Sequence, residues 1–430
     1  MTAEPAGDAA GAGAIAGLRV AVLVLGDLGR SPRMQYHALA LADEGASVDL
    51  FGYRGHPPDR AVALHPRIRV HLLPAPLRQS APRALFVPVA LGDVAAQTAW
   101  LGRALLVRMP GIDVLLVQNP PAFPTLPLGR VIARARGCRL VVDWHNFGAD
   151  LLALRLRGAK RTLGLARAAE RAWGRGADAH LCVSEAMASH LAEVWGIPGA
   201  RVLRDRPAKR VGPLSLFERQ ALFDRYGLDL QAASPDRPAL VVTSSSWTAD
   251  EDFSVLLDAM RSWDAGATRG SARLPRLLVV MTGAGPARAA WGRRIAALRL
   301  SRVQARTLWL DAEDYPRLLA AADVGVCLHR SASGVDLPMK IADMFGAGLP
   351  VCALDYGPVL RELVRDGENG RLFATGAELA GHLRALLEGF PGATPALDVL
   401  RQGVARTNTL SWAEGWRREA RPVFAAREGR

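Results

Sequence analysis

The 430-residue chain is half apolar and carries a net charge of +13, from 54 Lys and Arg against 41 Asp and Glu; this excludes a disordered polymer and leaves room for two domains of roughly 200 residues each. The positive charge is almost wholly arginine, since Lys160, Lys209 and Lys340 are the only lysines. It suits any phosphate-rich partner, anionic lipid included, and is by itself a weak pointer to nucleic acid.

Residues 1–17 are rich in Ala and Gly, with Glu4 and Asp8 as their only charges. They lack the positive n-region of a secretory signal, and no run of about 18 uncharged apolar residues follows, so a disordered leader and a cytoplasmic protein, soluble or peripheral at the membrane face, are expected. Leu18–Leu25 then reads as a strand buried on both faces, Met34–Glu44 as a helix and Ser47–Gly52 as a second strand. This βαβ opening puts Asp27, Gly29, Arg30 and Arg33 at the carboxyl end of the first strand, where open α/β sheets bind ligands. The spacing is not GxGxxG, so the dinucleotide fingerprint of a dehydrogenase is absent.

Arg69–Leu73 is a short strand. Ala84–Met109 is helical, and Leu85, Phe86, Val87, Val89 and Leu91 crowd one end beside Arg83; an inter-helix core is preferred there over a membrane-surface face. Asp113–Gln118 and Leu140–Asp143 are further strands, the second running into Asp143-Trp144-His145-Asn146-Phe147-Gly148. Basic residues outnumber acids between Arg130 and Arg175, which suits a solvated helix face or a phosphorylated lipid. After the strand His180–Val183, Ser184 is a good helix N-cap. The four cysteines, Cys138, Cys182, Cys327 and Cys352, sit in or beside apolar runs far apart and read as buried thiols without metal spacing.

A linker is expected over 206–237, which is rich in Arg, Pro and Asp. A second α/β series follows, with strands at Ala239–Thr243, Arg276–Thr282, Thr307–Leu310, Val324–Leu328 and Val351–Leu354, and helices from Asp250 and Glu313. The expected fold class is therefore α/β, with two Rossmann-like domains, 18–205 and 238–407, facing across a cleft. A helix over 408–430 is expected to return to the first domain.

The richest stretch is Ser331–Val351. A small polar loop leads into a Pro-started apolar helix that Gly348-Leu349-Pro350 ends. The helix N-terminus favours an anion, Lys340 adds a full charge in its first turn, and Asp343 lies close enough on the same face to accept hydrogen bonds from two ribose hydroxyls. Ser246 and Trp247 after one strand, Gly283 after another, and Ser333 and Gly334 in this loop let backbone N–H groups approach phosphate. These seven residues are the candidate nucleotide-diphosphate site. Asp143 or His145 is the candidate base, able to take a proton from an attacking hydroxyl; the two positions stand level. His37 reads as a packing histidine. No metal motif occurs, and none is expected.

Four segments, Gly26–Ala38, Asp143–Gly148, Ser246–Phe253 and Gly334–Asp355, resemble in order the chitobiosyldiphosphodolichol β-mannosyltransferases, a likeness that runs from about residue 18 to Trp412. The resemblance implies a GT-B fold, GDP-mannose as donor, a polyprenyl-diphosphate-linked GlcNAc acceptor and inversion to a β-1,4 bond. It assigns Ser333, Gly334, Lys340 and Asp343 to the nucleotide diphosphate. Asp343 stands where the wider GT-B superfamily often has Glu, and Val335 stands where retaining enzymes place a partner acid, with Asp336 next to it; a single base suits inversion. An N-terminal membrane anchor like that of eukaryotic members is not expected.

The expected function is glycosyl transfer of mannose or a related hexose from a nucleotide sugar to a lipid-linked or other saccharide, with no cofactor beyond the donor itself. Asp27, Gly29, Arg30 and Arg33 are placed toward the acceptor and its phosphate. A nucleotide-sugar epimerase of similar build is the alternative. A non-catalytic nucleic-acid binder is the least favoured, because basic and aromatic residues do not interleave.

Overall fold

Continuous apolar runs such as Val20–Leu25 and Val114–Val117 have no polar face to turn to water, so they can lie only inside a parallel sheet covered on both sides. That is where a computed structural model of the chain places them; it describes residues 15–75, 86–109, 111–155, 160–207, 210–248, 250–268, 274–407 and 410–425. The leader up to residue 14, with Arg83 and Leu85 of the apolar helix, lies outside these. Ile15, expected in the leader, is fully buried in the first core.

The chain divides into two units, one of residues up to Arg204 together with those from Trp412 onward, the other Asp205–Ser411. In the first unit, β1 (Arg19–Asp27), β2 (Ser47–Tyr53), β3 (Ile68–Leu73), β4 (Val114–Asn119), β5 (Arg139–Trp144), β6 (Ala179–Cys182) and β7 (Arg201–Val202) form a parallel sheet in the order 3-2-1-4-5-6-7. In the second, β8 (Ala239–Ser244), β9 (Leu277–Thr282), β10 (Val303–Leu308), β11 (Val324–Cys327), β12 (Val351–Leu354) and β13 (Gly370–Phe373) repeat the order from β10 through β9, β8, β11 and β12 to β13. Both are doubly wound Rossmann-like sheets. Strand order reverses between β1 and β4 and between β8 and β11, and at such switch points the carboxyl ends of the strands open a ligand crevice.

Several expected boundaries move. The strand placed at Thr307–Leu310 begins at Val303, because β10 is an edge strand whose mixed Val-Gln-Ala-Arg-Thr-Leu sequence hides the apolar signal. The helix expected from Asp250 begins at Phe253. The segment 206–237 belongs to the second unit: its helix Leu216–Arg225, closed by a Ser215–Glu218 capping box, buries Leu222 and Phe223 in that core, and Leu228 and Leu230 follow them. At the other end of the chain, Trp412, Trp416, Val423 and Phe424 are buried with the β1 and β2 side chains. Arg139 holds this segment by donating to the Val423 and Ala425 carbonyls at 2.9 and 3.1 Å. Among the described residues, no helix is long and apolar enough to cross a membrane.

Candidate active site

The second unit gathers its polar groups where β8 and β11 end. After β8 the chain turns sharply at Trp247, whose φ of 51° is the only positive value of a non-glycine residue among those described. Such a backbone is strained for a bulky side chain and persists only when its surroundings fix it. Here the Trp247 N–H donates to Ser245 Oγ and to Glu251 Oε2, both at 2.8 Å, and its indole N–H donates to the Gly283 carbonyl. The ring lies flat on Phe253 with centroids 4.5 Å apart. Trp247 is fully buried, which corrects its assignment to the donor: it is a core residue that sets the turn. Gly283 also serves this packing. A Cβ there would lie 1.8 Å from the Ser245 carbonyl oxygen, so the two turns touch backbone to backbone. Ser246, half-buried, sits on the same turn.

The helix Met339–Gly346 follows β11 and starts at Pro338 without a side-chain cap, so its first N–H groups keep their capacity for an anion. Lys340 lies in that first turn and pairs with Glu251, whose carboxylate also accepts from Ser245 Oγ at 2.6 Å. Glu251 is nearly inaccessible. It was not singled out from the sequence, because its cationic partner is 89 residues away. The loop before the helix is wound around another carboxylate: Asp336 Oδ1 accepts from the Ser331 and Ser333 hydroxyls, and Gly334 N–H donates to Ser331 Oγ at 2.7 Å. Gly334 takes φ of 75°, which a glycine adopts without strain.

Asp343, one turn beyond Lys340, accepts from Tyr315 Oη at 3.3 Å, and Tyr315 in turn bonds Ser244 Oγ at 2.9 Å. Burial pushes the Asp343 carboxyl up to about 7, against the opposing hydrogen bond from Tyr315. A carboxyl held in that state invites new donors, and the two hydroxyls of a ribose are such donors. Ser333, Gly334, Lys340 and Asp343 thus fall on one loop-helix unit, with Ser246 on the neighbouring turn.

In the first unit Asp143, near the carboxyl end of β5 and fully buried, meets Arg33 and His37 of the helix Pro32–Asp43. Arg33 donates to both of its oxygens at 2.8 Å and also to the Leu203 carbonyl at 2.7 Å. This corrects the placement of Arg33 toward an acceptor phosphate: its guanidinium is 2 % exposed and committed to Asp143. His37 Nε2 and His145 Nε2 stand 3.1 and 2.8 Å from Asp143 Oδ2. The Trp416 indole, which can only donate, reaches His37 Nδ1 at 2.9 Å. His37 is therefore the neutral tautomer with its proton on Nε2. Burial keeps it uncharged, outweighing the pull of Asp143. Burial alone would raise the Asp143 carboxyl, but Arg33 and His145 hold it well below the ordinary carboxylate range.

Asp143 is thus a permanent anion without access to solvent, whereas His145 keeps 22 % of its side chain exposed. With Nε2–H directed at Asp143, Nδ1 carries the lone pair. On the β1 side, Asp27 caps its own turn, accepting from Gly29 N–H at 3.1 Å and from His56 N–H and Nδ1 at 3.0 and 2.6 Å. A Cβ at Gly29 would lie 2.5 Å from the His56 and Pro57 carbonyls, so both residues hold the loop rather than a ligand. Arg30 is exposed on that loop. Among the described residues, no group of three His, Cys, Asp or Glu is placed to hold a metal ion.

Two family models match these units in turn: a glycosyl transferase 4-like domain over residues 28–204 and glycosyl transferases group 1 over 237–389. The chain is 42 % identical to the UDP-glycosyltransferase TURAN of Arabidopsis thaliana, over 94 % of this chain and 97 % of that one. It is 39 % identical to the chitobiosyldiphosphodolichol beta-mannosyltransferase of Homo sapiens, over 94 % and 92 %, and 38 % identical to that of Yarrowia lipolytica, over 94 % and 86 %. Among solved structures, Anabaena HepE in complex with UDP-glucose superposes with a TM-score of 0.63 at 18 % identity, covering 93 % of this chain and 98 % of that one. A UDP-forming α,α-trehalose-phosphate synthase from Burkholderia vietnamiensis gives 0.59 at 12 %, covering 93 % and 98 %. Identities this low speak for the fold alone, which is GT-B. The sequence relatives are transferases, which disfavours the epimerase reading. From its extent and identity of match, the chain belongs to the chitobiosyldiphosphodolichol β-mannosyltransferase family of glycosyltransferases.

Proposed function

We propose that the chain transfers mannose from GDP-mannose, with inversion, to a saccharide carried on a polyprenyl diphosphate. The observation that carries the chemistry is the Asp143–His145 pair: a buried, permanently ionised carboxylate fixes the imidazole so that Nδ1 is the acceptor. His145 Nδ1 takes the proton of the acceptor hydroxyl as its oxygen bonds to the anomeric carbon. The bond from that carbon to the donor phosphate breaks on the opposite face, which inverts the centre. Charge growing on the departing diphosphate is met by Lys340 and the first N–H groups of the helix Met339–Gly346. Asp143 acts through His145 and touches no substrate.

A lipid-linked acceptor is supported by the distribution of charge. The first unit holds 29 basic and 18 acidic residues, the second 25 and 23. Almost all of the net charge therefore sits on the unit with the candidate base, where a diphosphate-bearing acceptor and an anionic membrane surface would be drawn. Arg30 is the exposed cation at the mouth of the β1 loop.

The donor base is the point to test, because one relative is named for UDP and the others for mannosyl transfer. Calorimetric titration with GDP, GDP-mannose, UDP and UDP-GlcNAc is expected to show binding of the guanine pair, followed by mannosyl transfer to polyprenyl-diphosphate chitobiose. Preference for the uridine pair would overturn the donor assignment. Lys340→Ala is expected to weaken GDP binding by about 1–3 kcal/mol through loss of a charged hydrogen bond. Unchanged affinity in that variant would remove Lys340 from the site.

A further inference from the structure

Between the Trp247 turn and the phosphate loop stands His329, a residue that neither the fold nor the transfer chemistry described above uses. The chain leaving β11 runs antiparallel to 250–252: Arg330 N–H donates to the Asp250 carbonyl at 2.7 Å, Asp252 N–H to the Leu328 carbonyl at 3.3 Å, and His329 bridges Glu251. This short seam fixes Glu251, and with it Lys340. The His329 ring extends the seam sideways. Its Nδ1 lies 3.2 Å from Asp250 Oδ2 and its Nε2 3.5 Å from Asp336 Oδ2. One imidazole thus spans the two loops that frame the donor helix.

We propose that His329 is a positioning residue for the nucleotide donor, and that as an imidazolium it clamps Asp250 and Asp336 so that the phosphate loop 331–336 keeps its shape and charge balance. The inference rests on the donor site lying at the helix Met339–Gly346. Asp336 is buried, and its oxygens are served by the Ser331 and Ser333 hydroxyls and by His329. Facing the ring are Asp250 and Asp336 as anions, Lys340 as a more distant cation, and Tyr356, whose ring meets it edge-on at 5.9 Å, while Glu251 meets His329 through the backbone seam. Arg330, next in sequence, reaches Asp252 at 3.7 Å. Loss of the imidazolium proton leaves Asp250 and Asp336 unneutralised beside the loop that leads into the helix Met339–Gly346. Both effects, a loosened loop and a more negative site, oppose the donor.

Burial disfavours the charged ring, but Asp250 and Asp336 outweigh burial and bring His329 up to about 8. Raised above its ordinary value, the group supports the clamp below that pH and releases it above. GDP, which binds without turnover, is the probe, titrated into the full chain between pH 6.5 and 9.5. The expected result is an affinity that falls about tenfold with an inflection near 8. His329→Gln binds weakly with no inflection there, and His329→Lys, which keeps a charge at that place, holds its affinity to pH 9. Asp343→Asn, which removes the other group titrating near neutrality, retains the inflection.

Should His329→Gln fold poorly, Asp336→Asn supplies the reading, since a neutral partner moves the inflection to lower pH. Wild-type affinity and pH dependence in His329→Gln, or an unmoved inflection in Asp336→Asn, overturns the proposal. Parallel titration with UDP separates the two readings: the same profile with UDP in place of GDP upholds the clamp and overturns the guanine assignment, and binding of neither overturns both.

Discussion

Asp143→Ala is expected to lower the stability of the first unit by about 3–5 kcal/mol, because it strands a buried guanidinium and removes the acceptor from two imidazoles. Arg33 cannot turn to water: it is 2 % exposed, donates to the Leu203 carbonyl as well as to Asp143, and lies over the Trp412 ring. Urea unfolding of the full chain measures the loss. Replacing both members, Arg33→Met with Asp143→Leu, is expected to recover most of it, since exchanging a whole buried pair for apolar side chains is often close to neutral. A double variant as unstable as Asp143→Ala would mean that the cluster matters through shape and not through charge.

His145→Ala is expected to lower kcat about 100- to 10,000-fold, the span of one general base. GDP affinity, which belongs to the other unit, should stay within about twofold of wild type. The ring is partly exposed and lies outside the described apolar clusters of the first unit, so melting should change little. A kcat within a few-fold of wild type would remove His145 as base. Asp143→Asn matches the carboxylate in shape but removes its charge and one of its two acceptor oxygens, against donors from Arg33, His37 and His145, so stability and kcat are both expected to fall.

How much of this was legible in the sequence depended on distance along the chain. Parallel strands such as β1 and β8 show themselves as unbroken apolar runs, and a loop and helix as contiguous as Ser331–Gly346 carry their anion chemistry in one line of text. Arg33 reads as a free cation because the carboxylate that consumes it is 110 residues away. Glu251 and His329 carry no local signal, since the seam that aims them joins segments about 79 residues apart. Trp247 resembles a ligand contact in a Ser- and Thr-rich turn until Phe253 and the Gly283 carbonyl are seen to hold its indole. Asp143 and His145 are level in the sequence; burial alone tells a fixed anion from an accessible base.

The tie from Trp416 to His37 reaches across 379 residues. On a ribosome the strands of the first unit emerge before the second unit does, yet the core they share with Trp412, Trp416 and Phe424 stays open until those residues leave the exit tunnel. The second unit, continuous from Asp205 to Ser411, has all its parts earlier and can fold ahead of it. Of the two, the unit whose strands are made first is therefore the one whose core closes later, and it must wait, with apolar strands exposed, for the whole of its partner to be made.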